Sequence, residues 1–592
     1  MAHDLIPTVE NKEVEDVGNT IWKELYWRSF LQDEEENEAV GDSFYTTCMM
    51  HDLIHDLAQY VIKDECYTMK ANSSSDDLGQ QIRHVTGKVH ELDIISVRSL
   101  KKIPGLQSII LDIYINEDIY NVTKEFLSVL KELLSLRFLE VSLRDVQDPD
   151  LSWVGYLQHL RCLDISHGKM KTLPDSICDL LNLQSLKLND CSKLESLPRN
   201  MRDLINLRHL YLEGCHGLKY MPRGMRQLKH LKTLSFFVIR KEEKDCQLDE
   251  IKELDICGSL TIENLGRVSD ASIARGISMA KKSRIIKLVL NWRSNDEVDD
   301  NESIRHDKIS EALEVSTARL KILRMSGYKG VNLPKWVGKS SSSPTRLKSN
   351  DNSAIKDDKE MIVLFPLLEK LDLSNMENLR ELVSPTIPSI GAFTNLCTLD
   401  IYYCPKLGAL PPHLKSLKSV SILGECSDEL INSMSNLSAL TSLSVQKMKE
   451  RSVLFPGAKA LMFDDEIPSS SSQILEDNNN NEAQVGVHST FNSLQSLEIV
   501  WCLKLRRLFN EGLIMQQNQG ETERTRGLSN LSILSCPEFM ITVEEFENLN
   551  ISNSLRILGC STLVSSKEGD ALLRSLQTKL GRQKFIVPAL KE

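Results

Sequence analysis

One pattern occurs three times in succession: Leu160-Arg-Cys-Leu163-Asp-Ile165, Leu183-Gln-Ser-Leu186-Lys-Leu188 and Leu207-Arg-His-Leu210-Tyr-Leu212. A proline follows each copy, at positions 174, 198 and 222, so the spacing is 24 residues each time. Successive side chains of a strand point to opposite faces, so each copy predicts a short strand with one buried leucine face. A single unit cannot bury that face, and several units must therefore stack.

The pattern returns in looser form along the rest of the chain. Further copies open at Leu320, Leu368, Leu396, Leu440, Leu494 and Leu528. A cysteine stands five residues after the second leucine of several copies, at Cys191, Cys215, Cys404, Cys502 and Cys536. We expect these thiols to be buried and to bond the backbone of the neighbouring turn. Leucine-rich helices would not keep this spacing, so the sequence predicts an α/β leucine-rich-repeat solenoid, or horseshoe.

Four polar stretches interrupt the repeats. They are rich in charged residues, Ser or Asn, and they span residues 293–308, 339–359, 464–489 and 516–527. Such segments cannot bury enough apolar surface to fold alone. We therefore predict loops or disordered insertions at these positions.

Composition limits the classes of function. The chain has 592 residues, 41% of them hydrophobic, and a formal net charge of −12. Nucleic-acid binding needs a basic face, so we expect protein partners and no nucleic acid. No stretch reaches the ~18 apolar residues of a membrane span. None of the 14 cysteines forms a Cys-x-x-Cys pair, which argues against a zinc ribbon or a thioredoxin-like site.

The first 70 residues differ from the repeats. Val17, Ile21 and Leu25 have helical spacing, and a second helix is predicted at 50–61. The apolar face of that second helix is Leu53, Leu57 and Tyr60.

Several short runs carry a resemblance to a known family. They are Glu15-Asp16-Val17-Gly18, Arg28-Ser29-Phe30-Leu31-Gln32, Met50-His51-Asp52-Leu53, and Gly327-Tyr328 with Leu333-Pro334-Lys335-Trp336. In these runs the chain resembles the C-terminal part of plant nucleotide-binding leucine-rich-repeat immune receptors of the coiled-coil class. The resemblance implies a domain order. Residues 1–70 would be a small, mostly helical remnant of a winged-helix domain, residues 71–130 a connection with the first irregular repeats, and residues 131–592 the repeat domain.

The resemblance also assigns a nucleotide-sensing role. In that family the histidine of the Met-His-Asp motif contacts the β-phosphate of ADP, which implies an ADP sensor at His51 and Asp52. The chain departs from the family at the phosphate-binding loop. Its only Gly-Lys-Ser, at residues 338–340, has Leu333 where the loop motif requires glycine. ADP or ATP is thus the cofactor of the full-length family, and we expect none for this chain alone.

His51 and His55 also have the i, i+4 spacing of a zinc-binding histidine pair. The residue after His51 is Asp52, which is shorter than the glutamate that serves as base in such enzymes. We therefore expect no metal. We also expect no enzymatic activity, because the sequence has no nucleophile elbow and no convincing acid–base pair.

Two surfaces are candidates for binding. Strand positions between the buried leucines should face the concave side, where solenoids bind partners. Tyr and Trp are favoured at binding hot spots, and we predict partner contacts at Tyr211, Asp372, Asp400, Tyr402, Tyr403 and Trp501. The early repeats are rich in basic residues, which form either a docking patch for a nucleotide-binding core or ordinary solvated charge. The residues assigned to docking are Arg199, Arg208, Arg223 and Arg226.

The function implied by the resemblance is plant defence. The repeats would recognise a pathogen effector or a guarded host protein, and would restrain a nucleotide-binding domain in cis or in trans. The expected location is the cytoplasm, with the nucleus or a membrane surface as alternatives. A stand-alone repeat scaffold or decoy without a switch remains open. An in-frame phosphate loop upstream of Met1 in the genomic DNA would favour the receptor.

The departure at the phosphate loop makes a prediction for nucleotide binding. Calorimetry of the purified chain with ADP should detect no micromolar binding, because a single histidine does not replace the backbone N–H groups of a phosphate loop. Micromolar binding that His51→Ala abolishes would contradict this expectation.

Overall fold

The computed structural model describes residues 12–38, 44–62, 64–70, 81–88, 94–112, 120–144, 146–240, 248–293, 302–338, 367–382, 393–411, 414–456, 493–509, 528–541, 553–565 and 585–586, with isolated positions between and around them. The chain divides into two compact units, Met1–Ser278 and Met279–Glu592.

The first unit begins with two helices on either side of a hairpin. The elements are α1 (Val14–Trp27), β1 (Leu31–Glu38), β2 (Phe44–Met50) and α2 (Asp52–Ile62). Strands β1 and β2 pair in antiparallel fashion, with Leu31 opposite Met50. The helices agree with the sequence pattern, whereas the hairpin was not predicted. Its first strand is the acidic stretch Leu31–Glu38, which has few of the β-branched and aromatic residues that favour strands.

A parallel sheet follows, in which each strand lies beside the next one in the chain. It runs in the order β3 (Cys66–Met69), β4 (His84–Lys88), β5 (Ser108–Asp112), β6 (Phe138–Ser142), β7 (Cys162–Asp164), β8 (Ser185–Lys187), β9 (His209–Tyr211) and β10 (Thr233–Leu234). Also in this unit, β11 (Phe236–Val238) pairs in parallel with β12 (Gly258–Glu263). The repeats therefore begin at Cys66, inside the 1–70 segment that we had assigned to the winged helix. Strand β3 lacks the leucine pattern that marks later strands.

Helical segments connect the strands of the first unit. The α-helices are α3 (Ile94–Ser99), α4 (Tyr120–Val129) and α5 (Ala271–Gly276). Short 3₁₀ turns are at Leu100–Lys102, Leu130–Glu132, Val154–Tyr156, Asp175–Asp179, Met201–Asp203, Met225–Gln227, Leu248–Ile251 and Leu265–Arg267. The turn Asp175–Asp179 directly follows Pro174, and the turns at Met201 and Met225 begin three residues after Pro198 and Pro222.

The second unit repeats the arrangement with longer strands. Its parallel sheet has the order β13 (Ile285–Asn291), β14 (Ile322–Ser326), β15 (Lys370–Ser374), β16 (Thr398–Tyr402), β17 (Ser419–Leu423), β18 (Ser442–Gln446), β20 (Ser496–Val500), β22 (Asn530–Leu534), β23 (Ser554–Leu558) and β24 (Phe585–Ile586). A separate parallel pair is formed by β19 (Val453–Phe455) and β21 (Arg507–Phe509). The helices are α6 (Glu302–Leu313), α7 (Asp428–Ser433) and α8 (Ser561–Ser565), with 3₁₀ turns at Met279–Lys281, Lys335–Gly338 and Met434–Asn436.

The leucines of the pattern form the core. Leu163 lies opposite Leu186, and Leu186 lies opposite Leu210, and all three side chains are fully buried. Complete burial of one leucine contributes about 2 kcal/mol to stability. This stacked apolar ladder confirms the predicted leucine-rich-repeat fold.

The predicted cysteine positions are buried, and most of their thiols bond a neighbouring repeat. The Sγ atom of Cys191 lies 3.5 Å from the carbonyl oxygen of Ile165, and that of Cys215 lies 3.0 Å from the carbonyl oxygen of Leu188. The same bond to the preceding repeat recurs at Cys404, Cys502 and Cys560. Cys560 was not among the predicted positions, because its repeat lacks the full leucine pattern.

One predicted insertion is wrong in its second half. Residues 302–308 belong to α6, and the side chain of His306 is completely buried there. The segment looks polar, but its histidine packs beside Trp292 and Tyr328, at ring-centroid distances of 6.4 Å each. Tertiary packing therefore makes this segment helical, although its polar composition predicts a loop. Residues 294–301 and the predicted insertions at 339–359, 464–489 and 516–527 lie outside the described residues.

Hydrogen bonds fasten α6 to the following repeat. The hydroxyl of Tyr328 lies 2.5 Å from Oδ1 of Asp307, and the indole N–H of Trp336 donates to the carbonyl oxygen of Ser310 at 2.6 Å. The backbone N–H of Lys329 donates to Nδ1 of His306 at 3.3 Å. Tyr328 and Trp336 are residues of the family-like runs, so those runs have a packing role in this structure.

The buried histidine predicts a pH-dependent stability of α6. Burial, with Arg305 and Lys329 nearby, lowers the pKa of His306 to about 4, whereas an unfolded histidine titrates near ~6.5. Between these two values the unfolded state binds more protons, so stability falls as pH falls from about 6.5 towards 4. We expect α6 to lose up to about 2 kcal/mol between pH 7 and pH 5.

Hydrogen exchange of the α6 amides, corrected for intrinsic rates, measures this loss. The control is His306→Asn, which keeps an acceptor for the Lys329 N–H and does not titrate in this range. Equal pH dependence in the natural chain and the variant would contradict the assignment to His306.

Candidate binding surfaces

A left-handed backbone residue follows most strands of the second unit. The angle φ lies between +54° and +56° at Asn375, Tyr403, Lys447, Trp501 and Ser535. The backbone N–H group of each of these residues donates to the carbonyl oxygen of the last residue of the next strand in the sheet. For example, the N–H of Tyr403 lies 2.7 Å from the oxygen of Leu423, and that of Trp501 lies 2.8 Å from the oxygen of Leu534. The turn geometry thus closes the hydrogen bonding between repeats.

Tyr403 and Trp501 are unusual at this position. A left-handed backbone favours Gly or Asn, and a bulky residue there costs about 1 kcal/mol or more. Tyr403 is 44% exposed and Trp501 is 50% exposed. Two large aromatic side chains are therefore held at the surface at a cost to stability, and such strained positions are concentrated at functional sites.

Neighbouring turn residues complete this surface. Gly424, at φ +92°, leaves room for the ring of Tyr403, because a Cβ added to Gly424 would lie 2.6 Å from Cδ1 of that ring. The Nζ atom of Lys447 lies 5.2 Å from the ring centroid of Trp501, within the range of a cation–π interaction. We refer to Tyr403, Gly424, Lys447 and Trp501 as the turn row. Lys447 and Gly424 were not predicted, although aligning the repeats by their strands would have placed them beside the two aromatics.

The middle of the sheet is different from the turn row. Arg324, Asp372 and Asp400 lie directly opposite one another on β14, β15 and β16. Asp372 Oδ2 lies 3.5 Å from Arg324 Nε, and Asp400 Oδ2 lies 3.2 Å from Lys370 Nζ. Tyr402 is half-buried beside them, and burial together with the two carboxylates raises the pKa of its hydroxyl to about 12.

Asp372 and Asp400, which we predict as partner contacts, are both buried. Neighbouring strands place the long cationic side chains of Arg324 and Lys370 beside them, and these side chains pair with the two carboxylates. Contact of the two aspartates with a partner stays a prediction.

In the first unit, charged side chains of the sheet hold the start of α1. The guanidinium of Arg208 contacts Glu15 through two bonds of 2.7 Å, from Nε to Oε1 and from Nη2 to Oε2. Its Nη2 also donates to Oε2 of Glu13 at 2.9 Å. Lys232 Nζ lies 3.1 Å from Oε1 of Glu13, and His209 Nε2 lies 3.3 Å from Oε1 of Glu15. We refer to these five residues as the latch.

The latch favours ionised carboxylates. Burial opposes the charge of Glu15, but hydrogen bonds from His209 and Arg208 hold its pKa well below the usual range. A hydrogen bond from Lys232 is the main cause that lowers the pKa of Glu13. The hydrogen bond to Glu15 raises the pKa of Arg208 in turn. Sequence reasoning selected Arg208 as a docking residue but not its partners, which lie more than 190 positions away in the chain.

The other predicted docking residues do not join Arg208. Arg226 lies in the 3₁₀ turn Met225–Gln227, and Arg199 and Arg223 follow the preceding prolines, all with exposed side chains. Of the four arginines that we assign to docking, Arg208 is therefore a part-buried latch residue, whereas Arg199, Arg223 and Arg226 are exposed. Docking of the three exposed arginines to a nucleotide-binding core stays a prediction.

Tyr211 lies near the latch and not in the second unit's turn row. Its ring stacks against that of His209, with centroids 6.1 Å apart, and burial raises the pKa of its hydroxyl. The side chain is half-buried on the sheet face. Tyr211 thus lies in the first unit, whereas Tyr403 and Trp501 lie in the second.

His51 stands at the start of α2. Its Nδ1 accepts the backbone N–H of Leu53 at 3.2 Å, so the ring caps the helix. The other nitrogen, Nε2, carries the proton when the ring is neutral and Nδ1 accepts. Asp52 is the exposed first residue of the helix, where a carboxylate suits the helix dipole.

The predicted apolar face of α2 is exposed. Leu53, Leu57 and Tyr60 are all more than half exposed, and α2 buries no side chain. Among the described helices, none has the length and apolar character needed to cross a membrane. Within the described residues there is also no group of three or more His, Cys, Asp or Glu side chains arranged to hold a metal ion.

Comparison with known proteins places these features in context. Residues 118–447 match a family model described as a leucine-rich repeat region, and residues 1–58 match a disease resistance protein winged helix domain. Similar proteins in Solanum bulbocastanum are the putative disease resistance protein RGA1, 30% identical over 482 residues (77% of this chain and 44% of that protein), and the disease resistance protein RGA2, 32% identical over 466 residues (75% and 43%).

A putative disease resistance RPP13-like protein 1 of Arabidopsis thaliana is also similar, at 30% identity over 463 residues (70% of this chain and 42% of that protein). The chain spans less than half the length of these curated relatives.

The latch predicts how α1 is released. Arg208→Ala should remove the central cation and cost about 2 kcal/mol, or roughly 30-fold in the equilibrium constant between docked and released α1. Hydrogen exchange of residues 14–27 measures that constant. The matched control is Arg226→Ala, which removes an exposed arginine of an adjacent repeat.

Acid should release α1 in the natural chain as well. Both glutamates have pKa values lowered by docking, so their contribution is complete above the usual value of ~4.3 and is lost as pH falls below it. Equal protection of α1 in the Arg208→Ala and Arg226→Ala variants would refute the latch.

Proposed function

The chain belongs to the plant disease-resistance proteins that are built on leucine-rich repeats, and we propose that it acts in defence as the recognition part of an intracellular receptor. Its repeats recognise a pathogen effector, or a host protein that an effector has modified. They also restrain a nucleotide switch domain until recognition occurs. The proposed location is the cytoplasm.

The turn row is the observation that carries the recognition proposal. Tyr403 and Trp501 are exposed aromatic side chains held on strained turns, and aromatic residues contribute most at protein interfaces. Lys447 beside Trp501 adds a charged group that can pair with a carboxylate of the partner. Tyr402 and the paired carboxylates beneath would contribute shape and polar contacts.

The latch supports the restraint proposal. Arg208 ties the sheet of the first unit to Glu13 and Glu15, which lie within the winged-helix match. A repeat domain that holds the winged-helix segment by charge can resist a movement of that segment. This contact favours a receptor over a stand-alone scaffold or decoy, for which no such tie is needed.

Nucleotide sensing by His51 stays a proposal for a longer receptor. Its Nε2 can donate one hydrogen bond to a phosphate oxygen while Nδ1 caps α2. A diphosphate also requires a cradle of backbone N–H groups, and the only Gly-Lys-Ser of the sequence does not fit that motif. We therefore expect no ADP binding by this chain alone.

The recognition proposal predicts which substitutions weaken partner capture. Once proximity labelling in plant tissue has identified a partner, Trp501→Ala and Tyr402→Ala should each weaken binding, with Trp501→Ala costing about 2 kcal/mol, or roughly 30-fold. Trp501→Gly should lose as much binding while it relieves the left-handed strain. Leu181→Ala, at an exposed apolar residue of the first unit, is the matched control. Unchanged capture by the Trp501 variants would remove the turn row from the interface.

A further inference from the structure

In the latch, every carboxylate oxygen of Glu13 and Glu15 contacts a side chain of Arg208, His209 or Lys232. For Glu13, Lys232 contacts Oε1 and Arg208 contacts Oε2. For Glu15, Arg208 contacts both oxygens, and His209 adds a second contact to Oε1. Lys232 and Arg208 are mostly buried, with side chains 10% and 15% exposed. Lys232 Nζ also lies 3.1 Å from Oδ2 of Asp255, so Lys232 is shared between Glu13 and a carboxylate of the sheet's own repeat. The sheet therefore presents a cationic site for two acidic groups, with Arg208 at its centre.

The start of helix α1 sets the spacing between the two carboxylates that the site binds. Glu13 is the N-cap of α1 and Glu15 is its second helical residue, so both carboxylates lie at the positive end of the helix dipole. Arg208 can span the two because its guanidinium has several donors in a fixed plane. The site thus recognises an acidic helix start with carboxylates at positions i and i+2.

Within the described residues, α1 has little apolar packing. Val17 is the one buried side chain of this helix, whereas Trp22 and Tyr26 are each 36% exposed and Trp27 is 81% exposed. Ion pairs at a partly exposed site are weakened by salt and by competing ions. A segment with the same pair of carboxylates would therefore meet the same cations when α1 leaves.

We propose that the Arg208–His209–Lys232 site is a docking site for an acidic helix start of a partner protein, and that the chain's own Glu13 and Glu15 occupy it in cis. A partner that carries this motif displaces α1 and so relieves the restraint. The inference rests on the restraint part of the proposed function and is independent of the turn row.

A peptide competition experiment tests the exchange. The probe is a fluorescently labelled peptide with the sequence of residues 12–27, and the protein is the full chain. In the double variant Glu13→Gln/Glu15→Gln, the chain's own α1 binds the Arg208–His209–Lys232 site more weakly, so the peptide should bind readily. In the natural chain the site is occupied for most of the time, so apparent affinity should be at least ~10-fold weaker. Adding Arg208→Ala to the double variant should abolish binding, whereas adding Arg226→Ala should not.

The outcomes separate the two proposals. Raising salt from about 0.05 M to 0.5 M should weaken peptide binding to the double variant, since screening acts on ion pairs. If α1 is protected from exchange in the natural chain but the peptide fails to bind the folded double variant, the docking inference is overturned and the restraint survives. If α1 is equally unprotected in the natural chain and in Arg208→Ala, the restraint itself fails. Peptide binding that survives Arg208→Ala would place the contact elsewhere. Circular dichroism of each variant verifies folding.

Discussion

Most strands of the second unit's sheet are followed by a residue whose backbone N–H group donates to the last carbonyl oxygen of the next strand. A left-handed turn residue supplies this bond at 2.6 to 2.8 Å in one repeat after another. The bond keeps neighbouring strands in register, and the register in turn stacks the leucines. The turn residues lie outside the leucine ladder, so the same constraint creates a row of positions at the end of the strands. The aromatics of the turn row occupy such positions.

The sequence predicted those parts of the fold that depend on local spacing. The leucine and cysteine positions recur at a regular spacing, so the repeat pattern alone predicts that their side chains are buried. The acidic hairpin strand Leu31–Glu38 and the helix α6 lie outside that period, and their structure depends on pairing and packing that composition does not reveal. For the candidate sites the same limit holds: Tyr403 and Trp501 are exposed, but they stand on the turns after β16 and β20 and not at the strand positions that we predicted for them. Asp372 and Asp400 are not exposed, because the strand neighbour that covers each one lies a whole repeat away.

Charge has two distinct roles in the molecule. On the sheet face of the second unit, Lys370 and Arg324 lie along the ladder and neutralise neighbouring carboxylates within a rigid frame. In the latch, Arg208 joins segments far apart in the chain, one of which is a helix with little apolar contact of its own. The first arrangement adds to a surface that is already fixed by the strands. The second holds a helix that has little apolar contact, so we expect raised ionic strength to weaken the docking of that helix.

The stacked cysteines have a chemical consequence. Burial raises the pKa of Cys191 to about 12 and that of Cys404 and Cys560 to about 11. Since the thiolate is the form that reacts with oxidants and alkylating agents, only a very small fraction of these sulfur atoms is reactive at neutral pH. At these three turns the repeat core therefore holds a polarisable, hydrogen-bonding side chain that reacts slowly with oxidants, and we expect the packing of these repeats to persist through changes in cellular redox state.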